Sequence, residues 1–416
     1  MLNEAIGSAI ELFVGLLLLA VIVAVVARPL RLPYTVALVI AGLLVGIGAS
    51  AAGVATISVS PDLVLLVLLP GLVFEAAYRI RIPELRRWSG GLALLAVPGV
   101  VVSAAVVALV LHLATGLRLD LAFIVGAMLS ATDPAAVVAT FKRVRVPDEL
   151  ATIVDGESLL NDGTGLVLFA IAVKAVYEPV TPLEATVSFA AISVVSVIIG
   201  LATGYVASRL IGAVDDHLIE LTATVVLAYG SYLLADHFGD SGVIATVTAA
   251  IVLGNFGPGR ALSEPAVDAV DTVWEFLAYL LTAVVFLLVG LAIPPAGLIT
   301  SLGPILWGIV GILVGRAVVV YVLLGGASRL WRRRGQVEPV ARGWLHVMFW
   351  GGLRGAVAVA MALALPADIT QRELLQQIVF GVVLFTLIVQ GTTIGRLIDR
   401  TVSLPMNPAV VGTGDA

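Results

Sequence analysis

The chain is 416 residues long, 60% hydrophobic and 12% charged, with a mean hydropathy of +1.11. That is well above the roughly 45–50% apolar content of soluble domains, so a soluble fold is excluded and an all-α polytopic membrane protein is expected. The absence of cysteine excludes disulfides, thiol catalysis and cysteine-ligated metals, and a net charge of −5 is too weak to name a charged partner such as nucleic acid.

Apolar runs of about twenty residues, the length of a helix crossing the hydrocarbon core, recur thirteen times. They fall at about 5–27, 33–50, 61–80, 90–113, 120–142, 153–176, 184–209, 217–236, 240–257, 269–292, 301–329, 342–366 and 374–398. Turn residues or charges mark the breaks: Arg28-Pro29, Gly53, Arg86-Arg87, Pro147, Pro179 and Pro182, Asp215-Asp216, Gly257-Pro258, Pro294-Pro295, Arg332 to Arg334 and Pro366. The first run is flanked by Glu4 and Glu11 and lacks the positive n-region of a signal peptide, so it reads as a spanning helix. With the N-terminus outside, eighteen of the 23 basic residues fall on cytoplasmic connections and the C-terminal tail, and only Arg118 and Arg372 on outer ones. Lys and Arg resist translocation, so this asymmetry supports the thirteen-span reading and a cytoplasmic C-terminus.

An ionisable group near mid-bilayer costs roughly 2.5–3.5 kcal/mol and calls for a partner or a function. In chain order the candidates are Glu75, Asp133, Glu157, Asp162, Arg316 and Arg354, and their combined cost argues that they gather at one site. Glu11, Lys174, Glu220 and Glu275 read instead as end-of-helix residues reaching for the headgroups. Asp133 stands in FIVGAMLSATDPAAVVATF, far from either span end. Pro134 deprives the Ser130 carbonyl of its helical donor and pushes Asp133 away from helical dihedrals. Unwound backbone at membrane depth persists only where protein or a watery cavity covers it. This break gathers the Asp133 carboxylate, the Thr132 hydroxyl and free carbonyls, hard oxygen ligands suited to a small cation.

Span 6 opens on GESLLNDGTG (156–165), two acids and an amide at the mouth of an apolar run. On a helix, Glu157, Asn161, Ser158 and Asp162 fall at about 0°, 40°, 100° and 140°, one shared face. Span 12 contains MFWGGLRGAVAVAM, where Gly351, Gly352 and Gly355 weaken the helix around Arg354. Spans 5 and 12 are the fifth members of two six-helix halves, 1–6 and 8–13, with span 7 inverting the second. Interrupted spans at matching positions of inverted halves point to the midplane site of a secondary transporter. His112, His217 and His237 lie near span ends; His346 sits nearer the core of span 12 and is the one placed to tune a pH response.

These residues resemble the NhaP-type sodium/proton antiporters, prokaryotic relatives of the eukaryotic sodium/hydrogen exchangers. The resemblance rests on LLPGLVFEAAY (68–78), ATDPAAV (131–137), GESLLNDGTG (156–165), SGVIATVTAAIVLGN (241–255), FLLVGL (286–291) and GGLRGAVAVAMAL (351–363). It implies an NhaA-like antiporter fold of thirteen helices in two inverted repeats, with broken crossing helices 5 and 12, and a homodimer in the prokaryotic cell (inner) membrane. A core domain (90–183 and 299–400, spans 4–6 and 11–13) would carry the ion past a dimerisation scaffold (1–89 and 217–298, spans 1–3 and 8–10), with span 7 (184–216) joining them. By motif, Asp162 matches the essential carboxylate that binds ion and proton, with Asp133, Thr132 and Ser158 as its companions on Na+. Glu75 matches an acid that approaches the site through water, and Glu157 an acid paired with an arginine of span 11, here Arg316. Arg354 is placed beside the crossing. Asn161 stands where electrogenic relatives carry a second aspartate, which implies electroneutral exchange. About sixteen residues follow the last span, where the animal exchangers carry a long regulatory tail.

The function expected is therefore secondary active exchange of Na+ or Li+ for H+, with no cofactor and with the lipid bilayer as its setting. Two close carboxylates titrate as a unit, so protons and a cation compete for the same oxygens. No GxxxxGK[ST] loop is present, which leaves an ion gradient as the energy source. Potassium in place of sodium is the alternative within the class. An intramembrane aspartyl protease using Asp133 and Asp162, or a cation channel, are the alternatives outside it.

Overall fold

A computed structural model describes residues 2–30, 32–52, 59–141, 144, 146–256, 262–333 and 340–402. Arg31, Lys142, Arg143, Arg145, Arg260 and Arg334, used above to orient the chain, lie outside the described residues, as do the breaks at Gly53 and Gly257-Pro258 and the tail after 402. The described residues are helical throughout, without a strand. α1 (Leu2–Leu30) and α2 (Tyr34–Ala51) fill the first two predicted spans, and a π-helical turn (Leu63–Leu68) leading into α3 (Leu69–Tyr78) fills the third. α4 (Ile82–Leu94), a π turn at Leu95–Gly99 and α5 (Val100–Thr115) run on as the fourth, and the fifth is split into α6 (Leu119–Met128) and α7 (Ala135–Phe141). α8 (Asp148–Tyr177), α9 (Pro182–Ile211), α10 (His217–His237), α11 (Gly242–Phe256) and α12 (Glu264–Ala292) follow. After the short α13 (Pro295–Thr300), α14 (Leu302–Ala317), a π turn at Val318–Leu324 and α15 (Gly325–Arg333) form the eleventh. The twelfth is split into α16 (Arg342–Trp350) and α17 (Ala356–Leu363); α18 (Arg372–Phe385), a π turn at Thr386–Gln390 and α19 (Gly391–Thr401) are the last elements of the described residues.

Among the described residues, nine helical stretches are long and apolar enough to cross a membrane, and Leu63–Tyr78, Leu119–Met128 and Gly242–Phe256 are shorter apolar helices. Large apolar side chains on α9, among them Val187, Val194, Ile198, Leu201 and Leu210, face outward. A shell of that kind suits hydrocarbon rather than water, and the protein is a multi-pass membrane protein. α2 packs against α12, α3 and α9 against α11, and α5 against α6 and α14. Without a hydrophobic force between helices in lipid, close backbone approach supplies the contact. A Cβ at Gly126 would overlap the Ala104 carbonyl across the α5–α6 contact, so only glycine permits that spacing.

Two boundaries differ from the sequence reading. Arg86 and Arg87 do not break a helix: α4 starts at Ile82 with Pro83 in its first turn, and both arginines ride exposed on its side. Charges mark where a helix leaves hydrocarbon, not where it ends. α8 likewise begins at Asp148, directly after Pro147. The polar stretch of span 6 therefore lies more than two turns inside the helix, where no capping role can account for it.

Candidate ion-binding site at the crossing of two broken helices

The first break follows from Pro134. α6 ends at Met128, the backbone is non-helical from 131 to 134, and α7 restarts at Ala135. The Asp133 side chain closes the gap: its Oδ1 accepts the Ala135 N–H at 3.0 Å, capping α7. The second break lies between Trp350 and Ala356, across the three glycines. The two breaks are hydrogen-bonded to each other, Asp133 N–H donating to the Leu353 carbonyl at 2.9 Å. The glycines permit this crossing. A Cβ at Gly355 would overlap the Asp133 carboxylate, and one at Gly352 would sit 2.7 Å from Arg316 Nε.

α8 lays its polar face against the crossing. The Asn161 amide reads the Thr132 peptide and side chain together: Thr132 N–H donates to Asn161 Oδ1 at 3.1 Å, and Asn161 Nδ2 donates to Thr132 Oγ1 at 2.6 Å. Thr132 Oγ1 and Ser158 Oγ share a hydrogen bond at 3.1 Å. One turn along, Asp162 lies in electrostatic reach of both Asp133 and Arg354. Its Oδ1 is buried with no hydrogen-bond partner among the described residues. Asp133 and Asp162 are only partly covered, whereas Glu157, Ser158, Asn161 and Thr132 are buried.

The remaining charges have distinct surroundings. Glu157 and Arg316 form a two-pronged ion pair, Nη1 to Oε1 and Nη2 to Oε2 at 2.9 Å, with side chains 4% and 9% exposed. Arg316 also donates from Nε (3.0 Å) and Nη2 (2.8 Å) to the Met348 carbonyl near the end of α16. The resemblance pairs Glu157 with Arg316, and the geometry brings these two together rather than Glu157 and Arg354. Arg354 lies within the second break, 1% exposed, its Nε and Nη1 without a hydrogen-bond partner among the described residues. Arg354 lines a cavity of ≈ 10 Å³ with Ser103, Ser130, Glu157, Asn161 and Arg316. That is room for about one water.

Other residues fall elsewhere. Glu75 pairs with Arg79 on its own helix at 2.6 Å. Glu220 is not a headgroup-seeking residue: it is fully buried and accepts the Ser263 N–H at 2.9 Å and hydroxyl at 3.0 Å, tying α10 to the start of α12. Glu11, Lys174 and Glu275 are exposed. His346 is exposed rather than near the core, its Nδ1 2.8 Å from the Tyr321 hydroxyl. Sequence reasoning missed Thr386, whose hydroxyl accepts the Arg354 N–H at 3.1 Å, and Thr164, which donates to the Ala96 carbonyl at 2.7 Å in the π turn of span 4. Thr386 is a single hydroxyl in an apolar run, which carries no pattern, whereas Thr164 stands inside the GESLLNDGTG stretch and only its partner was hidden.

The family described as sodium/hydrogen exchanger, transmembrane, matches residues 16–400. The Na(+)/H(+) antiporter ApNhaP of Aphanothece halophytica is 36% identical over 404 residues, covering 96% of this chain and 76% of that protein. The Na(+)/H(+) antiporter NhaH of Halobacillus aidingensis is 34% identical over 407 residues, covering 94% and 98%. The solved structure of the sodium proton antiporter MjNhaP1 from Methanocaldococcus jannaschii at pH 8 shares the fold, with a TM-score of 0.76 at 20% identity over 95% of this chain and 99% of that one. Matched along almost its whole length in sequence, the chain belongs to the transmembrane sodium/hydrogen exchanger family.

Proposed function

We propose that the protein exchanges Na+ or Li+ for H+ across the prokaryotic cell membrane, one for one, at Asp162 with Asp133, Thr132 and Ser158 beside it. The observation that carries this reading is the unpartnered Asp162 Oδ1 beside Asp133 at the crossing of two helix breaks. Similar proteins are named as Na(+)/H(+) antiporters, which supports the choice of ions. The oxygens gathered here are hard ligands that a small cation and a proton can hold in turn.

The charge count supports electroneutral exchange. Asp133, Glu157 and Asp162 against Arg316 and Arg354 leave one negative charge when all are ionised. Either one monovalent cation or one proton brings the site to zero. A loaded core then crosses hydrocarbon readily, while an empty one carries an uncompensated charge and is held back. The moving body in this reading is spans 4–6 and 11–13, which slide in an elevator-like motion past a homodimer-forming scaffold of spans 1–3 and 8–10, with thirteen crossings and a cytoplasmic C-terminus. Glu75, near the end of α3, serves the water path to the site.

Proteoliposomes with an internal pH dye test this, scanning lithium, sodium and potassium. Sodium and lithium are expected to move protons, at the same rate at zero and at −100 mV, although such a potential is worth about 2.3 kcal/mol per net charge. Potassium alone driving protons would reassign the cation. A voltage-dependent reversal point would overturn the one-for-one stoichiometry, and no proton movement with any cation would overturn antiport itself.

A further inference from the structure

Thr386 lies in FGVVLFTLIVQG, where α18 gives way to the π turn Thr386–Gln390, and it is fully buried. Its Oγ1 accepts the Arg354 N–H at 3.1 Å and directs its single proton to the Val383 carbonyl at 2.9 Å, the Arg354 carbonyl lying farther at 3.4 Å. Arg354 N–H and the Leu353 carbonyl belong to one peptide unit, which is planar and has its two polar groups pointing opposite ways. The Leu353 carbonyl accepts the Asp133 N–H at 2.9 Å. A single rigid plate is therefore held at one end by Thr386 of the last span and at the other by the backbone of Asp133. Rotating the plate to free either end frees both.

We propose that Thr386 is a positioning residue for exchange: its hydroxyl fixes the 353–354 peptide and, through it, aims Asp133 at the ion site. Its part in exchange rests on the function proposed above; its hold on the peptide does not. The Arg354 N–H is buried with this one side-chain acceptor at hand, so an apolar side chain of the same shape at 386 leaves it unpaired. Serine keeps the hydroxyl.

The test compares the full chain with Thr386→Val and Thr386→Ser, by amide hydrogen exchange across 350–356 and by sodium-dependent proton movement in proteoliposomes. One lost buried hydrogen bond is worth about a tenfold change. Thr386→Val should therefore exchange the Arg354 amide about tenfold faster and raise the apparent KM for sodium about tenfold, with the maximal rate kept within about twofold. Thr386→Ser should match the parent in both. Should Thr386→Val fail to give monodisperse protein, Thr386→Ala, which removes the hydroxyl without adding bulk, is read in its place. A Thr386→Ser as impaired as the valine variant would overturn the proposal, as would faster amide exchange with an unchanged KM. If the parent moves no protons with sodium, the proposed function fails, and the amide arm alone still decides whether Thr386 holds the peptide.

Discussion

Removing either partner of the Glu157–Arg316 pair should cost the protein stability, and Arg316 shows why. The guanidinium is 9% exposed and has three tasks: it neutralises Glu157, occupies both carboxylate oxygens, and satisfies the Met348 carbonyl near the end of α16. Arg316→Ala leaves a buried carboxylate without its counter-charge, a loss of roughly 3–5 kcal/mol. It also opens space beside Gly352, which packs directly on the guanidinium. If the chain unfolds as one unit, the average unfolding entropy per residue converts that loss to about 3–6 °C in Tm. Glu157→Ala should fall by a similar amount. Glu157→Gln should fall less, since an amide still accepts a hydrogen bond. The double variant Glu157→Leu/Arg316→Met removes both charges together and should recover most of the loss, because an apolar pair avoids desolvating two ions. Thermal melts in detergent, at one protein concentration and scan rate, measure all four. Arg316→Ala melting within 1 °C of the parent, or a double variant as damaged as the two single losses added, would refute the reasoning.

At the ion site, Asp162→Asn should abolish sodium-dependent proton movement while the purified protein keeps the parent's elution profile; near-parent exchange would remove Asp162 from the site. Gly355→Ala should lower exchange by more than about tenfold, since the new Cβ overlaps the Asp133 carboxylate and off-rotamer side chains cost of order 1 kcal/mol or more. Gly303→Ala, where a Cβ meets nothing within 4 Å, is the control and should transport as the parent does.

The features legible in the sequence were those with a local cause. Pro134 announces its own break, three glycines around Arg354 announce the other, and the 100° step of a helix puts Glu157, Ser158, Asn161 and Asp162 on one face. What stayed hidden depends on partners distant in the chain. Glu157 meets Arg316 across 159 residues, a pairing that the family resemblance named but that no local pattern of residues carries. Glu220, near the start of α10, has the look of a residue at the membrane edge, yet its partner Ser263 arrives from 43 residues away and buries it. Asn161 was legible as a group that cannot titrate. Its two hydrogen bonds to Thr132, which hold the first break against α8, were not. Thr386 gave no sign at all, because one threonine in an apolar run fits a span without a further role.

The five charges at the crossing divide by what already occupies them. Glu157 and Arg316 consume each other, and the Met348 carbonyl takes what remains of the guanidinium. Asp133 is committed in part, one oxygen capping α7 and its N–H holding the second break. Arg354 is a buried positive charge in reach of Asp162 and Glu157 but bonded to neither carboxylate, so its field acts on the site without occupying it. Asp162 is left as the carboxylate with an oxygen to give. Asn161 keeps the count at one: Nδ2 donates to Thr132 at 2.6 Å, a bond an ionised carboxylate cannot make, since it has no proton to donate. An acid there would lose that donor and add a second negative charge that one cation could not neutralise. In the proposed one-for-one exchange, the same amide serves both the geometry of the site and its charge balance.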